Sequence, residues 1–171
     1  AMNAFTGEDL TFYFVTMPAN KLEHWAWMES DRLADSVFRE FYPERDVVHE
    51  ERRMRTESTP TGVFDEQYEA MFFQSSPYSW PVIGWPSDLN AYTQAQARDY
   101  FATYYAPNNL TGIVVGDFDP AVLKPILTRY FGRLERGPEP PPVVTLEMPQ
   151  KAEKRMLAHC DCTPQLKTSY H

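Results

Sequence analysis

The chain has 171 residues, 43% of them apolar and 15% aromatic, with a formal net charge of −8. That length suits one domain, or one domain with part of a second, and the apolar share is enough for a core rich in rings. The charge excludes the basic face of a nucleic-acid binder, and no apolar run reaches the roughly eighteen residues of a membrane span.

The opening, AMNAFTGEDL, lies within what reads as structure, and the chain ends at LKTSYH inside another strand-like run. Both ends suggest an internal piece of a longer polypeptide. Residues 9–17 (DLTFYFVTM) alternate and are rich in β-branched and aromatic side chains, which predicts a strand stopping at Pro18. From Ala19 to about Phe41, apolar residues recur at helical spacing (Leu22, Trp25, Ala26, Leu33, Val37, Phe38), predicting one long helix or two broken near Ser30. Pro43 suits the start of a new helix, with Glu44 and Asp46 near its positive end, running to about Thr56 or Glu57.

Residues 62–74 carry Val63, Phe64, Tyr68, Met71 and Phe72 at mixed helical spacing, and SSPYSWPVIGWPSDL reads as a long aromatic loop packed on the surface. Thr93 followed by Gln96 makes a capping box for a helix to about Tyr105. LTGIVVGDFD reads as a buried-type strand. Asp119 caps the next helix, Pro120 starts it and Gly132 stops it. RGPEPPP is a stiff extended linker, followed by two strand-like runs, VVTLEM and KRMLAHCDC. The order of elements predicts an α+β fold with a mixed or antiparallel sheet and helices packed on one face.

Cys160 and Cys162 are the only cysteines. With His159 they suggest a metal or redox site, but two thiols and one imidazole fall short of a closed zinc set. Alternate residues of a strand simply point to one face, which is the plainer reading.

The chemistry-bearing segment is Tyr42–Arg55, YPERDVVHEERRMR. On a helix Glu44 and Glu51 stand seven residues apart, about 20° from each other around the axis. Val47 and Val48 fall between them on the expected inward face, while Asp46, His49, Glu50 and Arg53 project elsewhere. A buried carboxylate must be paired, hydrogen-bonded or bound to a metal, so the pattern asks for a cation. Salt bridges to Arg45, Arg52, Arg53 or Arg55 would also answer it.

The string ERDVVHEERRMR resembles the ERxxVxxE helix of pitrilysin/insulinase-type (inverzincin) zinc metallopeptidases. NAFTGEDLTFYF, ESDRL, PYSWPVIGWPSDL, YYAPNNLTGIVVGDFD and YFGRL resemble further pieces of that family in the same order, from Asn3 to about Leu134. The resemblance implies an incomplete metallopeptidase-family domain over 1–134, a Pro-rich linker over 135–142, and the opening strands of a following region over 143–171.

It also implies that Glu51 is the third protein ligand of a zinc ion. Glu44 then holds the free N–H of a ligating histidine, fixing its tautomer and orientation. Asn3 and Ala4 lie on the strand edge that takes a peptide substrate as an added strand. Glu50 and His49 match variable positions expected to face solvent.

The family's HxxEH motif supplies the other two ligands and the general base. None of His24, His49, His159 and His171 begins such a motif, so the resemblance places it upstream of residue 1. The implied activity is that of a zinc metalloendopeptidase hydrolysing peptide bonds with zinc-activated water. This chain alone would bind no zinc and would be inactive.

Two rival readings are a non-catalytic scaffold or partner subunit of the same superfamily, and a peptide-binding module that uses its strand edge. Expected partners are a peptide or protein substrate, the remaining segments of the same polypeptide or a homologous half, and a second copy of the chain through self-association. Neither nucleic acid nor a membrane span is expected.

Overall fold

Two strands, β1 (Met2–Thr6) and β2 (Thr11–Val15), form an antiparallel hairpin in the computed structural model, which describes residues 1–159. Their register pairs Asn3 with Phe14 and Phe5 with Phe12, so Phe5, Phe12 and Phe14 share the face that carries Asn3. All three rings are exposed. The opposite face carries Tyr13, whose hydroxyl bonds to that of Tyr105 at 2.7 Å. Six α-helices follow: α1 (Leu22–Ala34), α2 (Phe41–Arg52), α3 (Gly62–Phe72), α4 (Pro86–Ala91), α5 (Gln94–Tyr104) and α6 (Pro120–Phe131). A small antiparallel sheet among helices makes the fold α+β, as the sequence pattern predicts.

The chain divides by contact into two units. Among the described residues, one comprises 1–41 and 92–142, the other 42–91 and 143–159. This division interleaves the sequence.

In the first unit α1 packs on α6. Ala26 and Ser30 of α1 are both 0% exposed, Trp25 stacks obliquely on Phe131, and Glu23 accepts from Arg129 at 2.8 Å. The sequence suggested one helix from Ala19 to about Phe41 or two broken near Ser30, and α1 ends at Ala34 with no break at Ser30. The helix runs through that serine because its hydroxyl donates to the Trp27 carbonyl at 3.0 Å and accepts from Arg133 at 3.2 Å, leaving no unmet polar group. The predicted box at the start of α5 is complete: Thr93 accepts from the Gln96 N–H and Gln96 from the Thr93 N–H. Asp119, Pro120 and Gly132 bound α6 as expected. Gly137, in the stretch expected to be a linker, is tightly docked. A Cβ on Gly137 would fall 2.4 Å from that of Ala106, so only glycine fits there, and its N–H donates to Asn108 Oδ1 at 2.9 Å.

Three expectations change. The ring-rich core is absent among the described residues: the buried apolar side chains are Ala26, Ala97, Ala106 and Leu123, and the rings meet in partly exposed pairs. LTGIVVGDFD does not form a strand there. Ile113 is 70% and Val115 90% exposed, since β-branched residues become a strand only when a neighbour takes their backbone groups. Residues 143–159 likewise run without a ladder partner among the described residues, and Cys160 and Cys162 lie outside them.

Candidate functional site

Helix α2 belongs, from Tyr42 onward, to the second unit. Pro43 falls in its first turn, where a missing N–H costs nothing because the first four have no helical acceptor. The inward stripe is Phe41, Arg45, Val48 and Arg52, spaced at four, three and four residues and all half-buried or buried. Glu44 and Val47 therefore face outward, Val47 being 57% exposed, and Glu51 sits at the margin with a third of its side chain exposed. This corrects the inward face expected for Glu44, Val47 and Glu51. Buried arginine, not buried carboxylate, anchors the helix.

Arg52 is 4% exposed. Its guanidinium grips Glu66 of α3 with both arms, at 2.6 and 2.8 Å, and donates to the Gly84 carbonyl at 3.0 Å. Gly84 adopts φ 88°, a left-handed conformation that favours glycine and turns that carbonyl toward the arginine. The hydrogen bonds to Glu66 push the Arg52 pKa further up, against the desolvation that would lower it. Directly after Arg52 the helix widens into a π-helical turn, Arg53–Glu57, and Glu57 closes on the Arg52 Nε at 3.3 Å. Arg52 thus fixes the rotation of α2 at the turn next to Glu51.

Outside this anchor lies a shallow hollow of about 510 Å³, lined by Pro43, Asp46, Val47, Glu50, Glu51, Met54 and Arg55. Glu51 pairs with Arg55 at 2.7 Å, and Glu50 pairs with Arg53. Glu50 is exposed and His49 half-buried. Among the described residues no group of three or more His, Cys, Asp or Glu stands close enough to hold a metal. Glu51 offers one carboxylate, already shared with an arginine, whereas a catalytic zinc needs three protein ligands. By themselves these residues do not fit the ion, and no chemical step through it follows from them.

Asn3 and Ala4 lie in the first unit, on β1. Ala1 and Thr16 exchange both backbone bonds, at 2.8 and 2.7 Å, and Gly7 donates to Leu10 at 2.9 Å. In an antiparallel ladder the bonded pairs alternate, so Asn3 and Phe5 bond to β2 while Met2, Ala4 and Thr6 turn their N–H and C=O groups outward. The Ala4 N–H is taken by the Asn3 side chain at 2.9 Å. Asn3 therefore caps the edge donor that follows it, that of Ala4.

The sequence reading did not single out Arg52 as an anchor, nor Glu66. The available signal was the spacing of Arg45, Val48 and Arg52, which forms a helical stripe as regular as the one chosen.

Three comparisons bear on these residues. Residues 91–161 match the family model described as Peptidase M16 inactive domain. The chain is 30% identical over 135 residues to the zinc protease PqqE of Helicobacter pylori, covering 78% of this chain and 30% of that protein. It is 30% identical over 146 residues to an uncharacterized zinc protease of Mycobacterium tuberculosis, covering 81% and 32%. A crystal structure of a protease from Helicobacter pylori superposes with a TM-score of 0.81 at 28% identity, covering 86% of this chain and 37% of that one. The chain spans about a third of the length of these relatives.

Proposed function

Since the chain belongs to the pitrilysin/insulinase-type family of zinc metallopeptidases, we propose that it is the part of a zinc-dependent endopeptidase that contributes Glu51 to the metal and the β1 edge to the substrate. In this reading residues 1–134 are most of one family domain, 135–142 a linker and 143–171 the start of the next region. The observation that carries it is the outward side of α2, where Val47 and Glu51 line an open hollow and Glu44 stands exposed two turns before Glu51. A second segment bearing an HxxEH motif would dock there, and its histidines with Glu51 would complete the set of three protein ligands.

Zinc, when bound, supplies a Lewis acid and a water of lowered pKa. This chain's part is to hold Glu51 still, through Arg52, and to let Glu44 orient an imidazole. Ala4 offers backbone groups to an extended peptide. The partners in this reading are a peptide or protein substrate, the remaining segments of the polypeptide or a homologous half, and a second copy of the chain at its open edges.

The scaffold reading has one observation in its favour, the pairing of Glu51 with Arg55. The word "inactive" in the matched description applies to residues 91–161, downstream of α2, and leaves the carboxylate helix untouched.

The test uses the protein that carries the HxxEH segment, with zinc content as the readout. Glu51→Gln should lose the metal, Glu44→Gln should weaken affinity about 10–100-fold, and Glu50→Gln should do little. Full zinc retention by Glu51→Gln would refute the assignment. The 171-residue chain alone is expected to hold no stoichiometric zinc after dialysis and to leave a quenched fluorescent peptide intact.

A further inference from the structure

Helix α3 ends at Phe72, and Phe73 turns extended. The carbonyls of Met71 and Phe72 then lack helical donors, and the N–H groups of the following residues lack helical acceptors. Both sets are met from one distant stretch. Lys154 Nζ donates to the Met71 and Phe72 carbonyls at 3.2 and 2.5 Å, a cation at a helix C-terminus. Glu147 accepts three consecutive backbone N–H groups, from Gln74 at 2.9 Å, Ser75 at 3.0 Å and Ser76 at 2.8 Å. The Ser75 hydroxyl adds a bond to the Leu146 carbonyl at 2.7 Å. Apolar burial does not explain this docking, because Val143, Val144, Leu146 and Met148 all remain exposed.

We propose that the backbone N–H groups of residues 74–76 form a carboxylate-binding site whose occupant is Glu147, so that residues 143–154 are a strap latched onto the end of α3 by charge. Three N–H donors converging on one carboxylate resemble the concave anion sites that backbone builds elsewhere. Each bond here is charge-assisted, about twice as strong as a neutral one. The opposite charges of Glu147 and Lys154 match the two kinds of backbone group left unpaired where α3 stops. The latch needs neither zinc nor substrate, so it stands or falls apart from the assignment of Glu51.

Amide hydrogen exchange on the 171-residue chain tests it. In the wild type the amides of Gln74, Ser75 and Ser76 should be protected. In Glu147→Gln their protection should fall about tenfold while the amides of α5 keep theirs. Equal protection in both proteins would overturn the latch. Lys154→Gln gives an independent reading: trypsin should cut faster after Lys151, and an unchanged rate would overturn the strap even if Glu147→Gln proved too unstable to study.

Discussion

Replacing Arg52 by methionine should cost the chain about 3 kcal/mol. Removing one member of a buried ion pair leaves the other charge without compensation, which costs about 3–5 kcal/mol. The lower end applies because Glu66 keeps a tenth of its side-chain surface in contact with water. The Gly84 carbonyl loses its donor as well, at 3.0 Å, and the turn Arg53–Glu57 loses the group that Glu57 approaches. A domain is stable by only about 5–15 kcal/mol, so the change should be plain in urea unfolding followed by circular dichroism. The paired variant Arg52→Met with Glu66→Leu should recover most of the loss, because no unpaired charge then remains. A loss below about 1 kcal/mol for Arg52→Met, or no recovery in the double variant, would refute the role of Arg52 as the anchor of α2.

Thr93→Ala removes half of a complete capping box and should destabilise by about 1 kcal/mol, measured in the same urea experiment. Glu147 should impose an acid limit on the strap. The N–H groups of Gln74, Ser76 and Ser75 hold its pKa at about 2, below its ordinary 4.5. A depressed carboxylate stabilises the folded form fully above the ordinary value and loses that contribution as pH falls toward the folded one. Protection of the 74–76 amides, relative to Glu147→Gln, should therefore shrink between about pH 5 and pH 2, and a constant difference would contradict the shift. Light scattering at rising concentration should show association of the chain, since among the described residues both hairpin edges lack a neighbouring strand beside exposed Phe5, Phe12 and Phe14. A monomer throughout would mean that these edges are protected.

What was legible in the sequence was local. The box at Thr93 and Gln96, the Asp119 cap with Pro120, and the stop at Gly132 each depend on residues within a few positions, and each forms as read. The carboxylate pair on α2 was also legible, since its spacing alone puts both residues on one stripe. Which way that stripe faces was not legible. It depends on Arg52 finding Glu66 fourteen residues on and Gly84 thirty-two on, and a run of arginines otherwise reads as a solvated face. Glu147 meets its donors across more than seventy residues, a contact that no local pattern encodes. Residues 110–116 have the composition of a strand, but composition supplies only half of a ladder.

The side chain of Asn3 already occupies the place where an added strand would put a carbonyl. Strand addition at Ala4 is therefore an exchange of acceptors on one donor, with a bond broken for each bond made. Such an exchange gains little by itself and excludes ligands that bring no acceptor to that point. A peptide whose carbonyl is turned away by a kink would leave the amide with Asn3 and find the edge shut. On the proposed reading of β1 as the substrate edge, the asparagine is a reversible cover, shielding a bare edge from casual pairing with other chains and yielding to backbone that arrives extended and in register.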